Sequence, residues 1–211
     1  MKSLLTKLPA MIVIVVMMIA GPYAMSSFAA QPDEMATSVK NLNDAILEAM
    51  KKGKEAGFSG RFHIFEPVVN DNFAITTIAP KTVGKNWDSF SEEQKQLFTK
   101  TYQKWSTANY AGSFDSYDNE TFEVQTDSIQ TKGNAVLITS LMKRPNKKAI
   151  EFLYVLQEFN GKWLIVDIHT SGVSQLALTR SQFVDLLKDK GFDGLIASMN
   201  DKVESFAQNK K

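Results

Sequence analysis

The sequence predicts an α+β fold: helices, then a four-stranded antiparallel meander, then helices again. Three observations predict it. Apolar residues recur at helical spacing before about residue 110 and after about residue 181. Between 121 and 170 the period changes to that of strands. The breaks in that middle stretch are turn-like, and Asn160-Gly161 is a hairpin signal of good specificity.

Residues 1–29 read as an export signal. Lys2 and Lys7 give a positive start, and Leu8 to Ala20 form an apolar run of 13 residues. A bilayer span needs roughly 20. Gly21 and Pro22 break the run, and Ser27-Phe28-Ala29 places small residues at the minus-3 and minus-1 positions of a cleavage site. Without Lys2 and Lys7, 22 basic side chains face 23 acidic ones. The chain from residue 30 to 211 is then expected to be a single domain, long enough for a core without staples.

Asp33 to Glu55 carries Met35, Val39, Leu42, Ile46, Leu47 and Met50 on one helical stripe. Gly53 and Gly57 are expected to end it. Phe58–Val69, with Pro67 as a breaker, and Phe73–Ala79 read as short helical turns on the core, punctuated by Pro80 and Gly84. Ser91 with Gln94 three residues on is a capping box. The helix it opens carries Leu97, Phe98, Tyr102, Trp105 and Tyr110, with Gly112 closing it.

The expected strands are Thr121–Ile129, Ala135–Lys143, Ala149–Phe159 and Trp163–Thr170. Ile150, Phe152, Tyr154 and Leu156 fall on one face of the third, with Leu153 and Val155 on the other. Val136 and Ile138 oppose Leu137 and Leu141 on the second. Leu164, Val166 and Ile168 oppose Trp163 and Ile165 on the fourth. A sheet apolar on both faces is expected to be covered on both, or to wrap a cavity with one. Ser181–Lys190 and Asp193–Ala207 read as closing helices separated at Gly191.

The whole chain has 24 basic and 23 acidic residues, which leaves no charge surplus for phosphate-backbone neutralisation and argues against nucleic acid as a partner. It has no cysteine, and its histidines are His63 and His169, so thiolate chemistry and a multi-histidine metal centre are not expected. No GxSxG, HExxH, P-loop or GxGxxG motif occurs. The sharpest catalytic pair is Asp167 with His169, two apart on one strand face; the plain alternative is a polar strand end with Asp167 bonded to a loop. Lys143-Arg144-Pro145-Asn146-Lys147-Lys148 is the densest basic cluster, either a solvated hairpin tip or a contact for lipid headgroups or an acidic partner. Residue physics alone favours a binding protein for an apolar ligand, with no catalytic residues, no metal and no cofactor.

Several segments, read in order, resemble the MlaC family, the toluene-tolerance auxiliary component of ABC-type lipid transport. They are Asn86-Trp87 with Ser91-Glu92-Glu93-Gln94, then Asn109-Tyr110-Ala111, then Gly161-Lys162-Trp163 through Val166-Asp167-Ile168. The most specific is Ser171-Gly172-Val173-Ser174 leading to Arg180-Ser181-Gln182-Phe183, followed by Gly191-Phe192-Asp193-Gly194-Leu195. The resemblance runs from about residue 33 to 207. It implies a curved four-stranded sheet of the nuclear-transport-factor-2-like (NTF2-like) kind, wrapped by helices around an acyl-chain pocket. It also implies a carrier in the Gram-negative periplasm, shuttling phospholipid between an outer-membrane lipoprotein complex and an inner-membrane ABC transporter with an MCE-type ring. Leu178-Thr179 replaces the family's asparagine-tyrosine; with Phe114-Asp115-Ser116-Tyr117 and Asp167-Ile168 this leans toward the hopanoid-associated branch called HpnM, so phospholipid and hopanoid both stand as ligand classes.

Tyr154 matches a pocket tyrosine of the family, and Val173 a pocket position. On that implied fold Leu137, Tyr154, Leu156, Val166, Val173 and Leu176 are expected to touch lipid tails. Trp87, Phe98 and Tyr102 are expected to close the helical side.

Overall fold

The structure is a computed structural model and describes residues 31–208; the expected signal segment and its cleavage site lie outside the described residues. The helices are α1 (Pro32–Met35), α2 (Thr37–Asn72), α3 (Ile75–Val83), α4 (Glu92–Ser113) and α5 (Gln175–Gln208). The strands are β1 (Thr121–Val124), β2 (Gln130–Lys132), β3 (Ala135–Arg144), β4 (Lys147–Phe159), β5 (Lys162–Thr170) and β6 (Val173–Ser174).

All pairings in the sheet are antiparallel, in the order β1-β3-β4-β5-β6, with β2 beside β1 on the same edge of β3. The expected strand over Thr121–Ile129 is thus corrected. It is two short strands separated by a 3-10 turn at Thr126–Ser128, and β6 adds a further short edge. Three long rows and one broken row remain of the expected meander.

The capping box is present: Ser91 Oγ accepts from the Gln94 amide at 3.2 Å, and the Ser91 amide donates to Gln94 Oε1 at 2.9 Å. Gly53 and Gly57 take left-handed φ of 45° and 61°, values that glycine reaches without a Cβ clash. They divide α2 into two helical pieces. Residues 58–72 are helical throughout, so Pro67 does not break them. The carbonyl that Pro67 leaves without a donor belongs to His63, which is exposed and can use water. Gly112 does not close α4 either; it lies inside it, where a Cβ would overlap the Phe206 ring of α5. The last helix starts at Gln175 rather than Ser181 and breaks at Gly191.

Alternation holds along β3: Val136, Ile138, Ser140 and Met142 are buried and face the helices. Leu137 and Leu141 turn the other way, opposite Val155 and Glu151. Along β5 it fails. Val155 pairs with Asp167 and Leu156 with Ile165, so Val166 is an extra residue in a bulge. Ile165 and Ile168 therefore both reach the helical side, whereas strict alternation puts them on opposite faces. Strand β5 is held to the helices by Ala74, whose amide donates to the Ile165 carbonyl at 3.0 Å, and by Ser38, whose hydroxyl donates to the Trp163 carbonyl at 2.5 Å.

A buried arginine ties two helix ends together. Arg61 Nη1 donates to the Gly53 carbonyl at 2.7 Å and Nε to the Ala111 carbonyl at 2.8 Å. Both carbonyls lie where helical bonding runs out, so the cation meets the negative ends of two helix dipoles.

Candidate functional site

The curved sheet and the helices do not close completely. Between them lies an open cavity of about 570 Å³, within the usual range for a small-molecule site. Its floor is Leu42 and Ile46 from α2, Phe73 from the α2–α3 junction, and Ile75 and Ile78 from α3. One wall is Met142, Ile150, Phe152, Tyr154, Ile165, Val166 and Ile168 from the sheet. The facing wall is Tyr102, Trp105 and Tyr110 from α4, with Phe114 just beyond it. The mouth is more polar. Ser106, Asn109 and Ser113 line it from α4, and Gln175, Thr179 and Gln182 from α5. Both sets have helical spacing, so each helix turns one polar stripe to the opening. The interior is apolar and suits hydrocarbon; the polar edge suits a headgroup.

Tyr154 is held by a buried chain of hydrogen bonds. Its hydroxyl donates to Asn43 Oδ1 at 2.9 Å, and Asn43 Nδ2 donates to Ser140 Oγ at 2.9 Å. The ring thus faces the cavity while its polar tip is satisfied beneath it. Burial raises the Tyr154 phenol well above its ordinary value. Burial first, and the Asp167 charge second, raise that of Tyr102. Both hold their protons more tightly folded than unfolded, so their stabilisation is complete below about pH 10 and lost as pH climbs through the folded values. Unfolding free energy from denaturant titration is expected to stay flat between pH 7 and 9.5 and to fall above pH 10. In the Tyr102→Phe, Tyr154→Phe double variant that fall should be shallower; an unchanged slope would contradict the assignment.

Asp167 and His169 are brought together with Ser174, but not as a catalytic relay. Ser174 Oγ donates to Asp167 Oδ2 at 2.6 Å, and His169 Nε2 lies 3.0 Å from the same oxygen. Serine and histidine therefore share the carboxylate; no hydrogen bond joins them to make a base–nucleophile contact. Asp167 Oδ1 accepts from the Ile168 and Leu176 amides at 2.8 and 3.0 Å, and Ser174 Oγ accepts from the Ala177 amide at 3.0 Å. This cluster staples the first turn of α5, which forms one side of the mouth, to β5. Removing it in Asp167→Ala should cost roughly 2–3 kcal/mol, the worth of a lost cap and a lost charge-assisted bond. Hydrogen exchange at the Leu176 amide should accelerate in step, whereas unchanged protection there would remove the staple.

Of the residues expected at the pocket, Tyr102, Tyr154, Val166 and Leu176 line the cavity. The others are placed elsewhere. Phe98 is fully buried one turn before Tyr102 on α4, its ring 6.2 Å from those of Tyr102, Phe183 and Trp87. Trp87 belongs to that same aromatic cluster, one layer further out. Leu137 is on the outer sheet face, because alternation carries it away from Ile138. Leu156 faces the helices but lies past Tyr154 in the closed core, fully buried against Ile165. Val173 stands on the rim beyond Thr170, 54% exposed. Residues not singled out include Phe152 and Ile150, which share Tyr154's strand parity. Trp105 and Tyr110, which with Trp87, Trp163, Tyr102 and Tyr154 form the aromatic set that the sequence offers either as pocket lining or as ordinary core, do line the cavity. Leu42, Ile46 and Phe73 carry no signal that separates them from ordinary core.

An antiparallel sheet with helices on one face and an open apolar cavity between them defines the class: an NTF2-like fold whose core leaves a chamber open. Residues 40–201 match the family model described as MlaC protein. The chain belongs to the MlaC protein family. It is 28% identical over 136 residues to the intermembrane phospholipid transport system binding protein MlaC of Haemophilus influenzae. That match covers 63% of this chain and 62% of the relative, less than two thirds of the relative's length. The fold is also similar to a solved structure, the phospholipid-binding protein from Ralstonia solanacearum in complex with a phospholipid. There the TM-score is 0.71 at 17% identity, covering 85% of this chain and all of the other.

Proposed function

We propose that the protein is a periplasmic phospholipid carrier, exported by residues 1–29 and working as the soluble member of an ABC-type lipid transport system. The observation that carries this reading is the open cavity: apolar inside, polar at its mouth, on the fold of a family whose relatives are named for phospholipid. Each methylene left in water costs about 0.8 kcal/mol, so a tail of about 15 methylenes costs roughly 12 kcal/mol to expose during transit. The cavity removes that penalty by taking the tails against Ile46, Phe152, Tyr154, Ile168 and Leu176, while the headgroup stays near Ser113 and Gln182. Delivery then runs between an outer-membrane lipoprotein complex and an inner-membrane transporter with an MCE-type ring. Among the described residues no helix is long and apolar enough to cross a membrane, which fits a carrier that leaves the bilayer.

Native mass spectrometry of protein purified gently from its own periplasm, followed by solvent extraction, tests this. A mass increment resolving to phospholipid supports it. A hopanoid mass would move the ligand class. An empty protein that also takes no lipid from vesicles would overturn it.

A further inference from the structure

The β3–β4 hairpin continues from the cavity-lining Met142 and Ile150 and carries Lys143, Arg144, Lys147 and Lys148. Lys143 pairs with Glu123, and Lys147 Nζ lies 3.7 Å from Asp118 Oδ2. Arg144 has no carboxylate partner among the described residues. Its Nη2 donates to the Lys148 carbonyl at 2.7 Å, and its Nε is buried with no acceptor. A buried charged donor without an acceptor is costly, and it calls for an explanation.

Register places this side chain. Pairing of β3 with β1 is unbroken from Ser140 to Lys143. The irregularity near the turn lies in β4, where Ile150 back to Lys147 spans three steps against two on β3, from Met142 to Arg144. Alternation along β3 therefore continues, and Arg144 follows Ile138, Ser140 and Met142 on the cavity face. Met142 and Ile150 line the cavity. Arg144 is the next inward-facing position of β3 toward the turn, roughly 7 Å further along the strand.

We propose that Arg144 is the headgroup clamp: its guanidinium holds the phosphate of the lipid whose tails fill the cavity. This rests on the carrier reading and adds to it the chemical feature selected. A guanidinium offers five donors in a planar fork matched to phosphate oxygens. Here the guanidinium makes one hydrogen bond within the protein, from Nη2, and keeps further donors on its fork for an anionic oxygen. A site built to bond a polar group rejects analogues without it far better than an apolar pocket rejects a change in tail. The clamp thus favours phosphodiester lipids over diacylglycerol and over uncharged polycyclic alcohols of similar apolar bulk.

The test is competitive extraction from vesicles holding equal phosphatidylglycerol and diacylglycerol of identical chains, with bound lipid quantified by mass spectrometry. Wild type should take phosphatidylglycerol in at least about tenfold preference, the worth of one charge-assisted bond. Arg144→Gln should lose that preference while still taking diacylglycerol. Lys143→Gln, which removes a paired cation from the same hairpin, should keep it. Arg144→Lys keeps the charge but not the fork and should fall between; it carries the test if Arg144→Gln does not fold. Equal uptake of both lipids by wild type, or an unchanged ratio in Arg144→Gln and Arg144→Lys, overturns the clamp. So does an unchanged ratio with weakened sedimentation on anionic vesicles, which would make the hairpin a membrane contact. Wild type that takes neither lipid overturns the carrier reading itself.

Discussion

Phe152→Glu is expected to purify folded and free of lipid. Phe152 sits on the sheet wall, half-buried, paired with Ser140 and Thr170 and packed near the rings of Phe122 and Tyr154. In the empty protein a glutamate there reaches water through the open mouth, so the fold survives. In the loaded protein the same carboxylate would be buried beside methylene groups with no cation to pair. Burial of an unpaired charge is the costliest event available to this wall. A loss of lipid retention of at least about a hundredfold, or roughly 2.7 kcal/mol, is the expected minimum. Phe152→Leu keeps the wall apolar and should retain lipid. The measurement is extracted lipid per chain alongside thermal unfolding. Wild-type lipid content in folded Phe152→Glu would remove the sheet wall from the binding site.

Arg61→Leu should be the most damaging single change to the fold. The leucine leaves the Gly53 and Ala111 carbonyls buried without donors at two helix ends, and no cation faces either dipole. Each orphaned acceptor costs about 1–3 kcal/mol, so a total of roughly 3–5 kcal/mol is expected. A small domain commonly holds 5–15 kcal/mol in all. Denaturant unfolding should show the midpoint falling sharply with little change in slope. Arg61→Lys should recover part of the loss, since an ammonium can reach one carbonyl but cannot fork to both. A stable Arg61→Leu protein would mean that water replaces the guanidinium.

Much of this architecture is written locally. The Ser91–Gln94 capping box, the glycines at 53, 57 and 191 and the Asn160-Gly161 turn each act through bonds spanning a few residues. They are readable because their partners are adjacent in the chain. The apolar parity of Ile150, Phe152 and Tyr154 is of the same kind. The signals that misled were those whose outcome depends on distant partners. Pro67 is tolerated because His63 faces water. Gly112 is present because Phe206 needs the space, from a helix more than 90 positions away. The β5 parity failed at Val166 because a bulge is a property of two strands together.

The candidate site divides the same way. A sheet of four rows flanked by helices around an apolar pocket could be inferred from period, composition and family motifs. Which apolar residues line the cavity could not, since Phe98 and Tyr102 lie one turn apart on one stripe with their rings 6.2 Å apart, yet of the two Tyr102 alone lines the cavity. Periodicity states that a residue is turned inward; it does not state whether another side chain fills the space it faces. That decision belongs to the tertiary structure, where α2, α3 and α5 pack on β5 while α4 stands across the cavity from the sheet. The sequence alone determined most of the elements, their order, and the inward faces wherever alternation is unbroken, because these depend on local bonding and on apolar burial averaged over a face. The packing of distant elements alone decided that the interior stays open, with Tyr154 on its wall and Ser113 and Gln182 at its mouth.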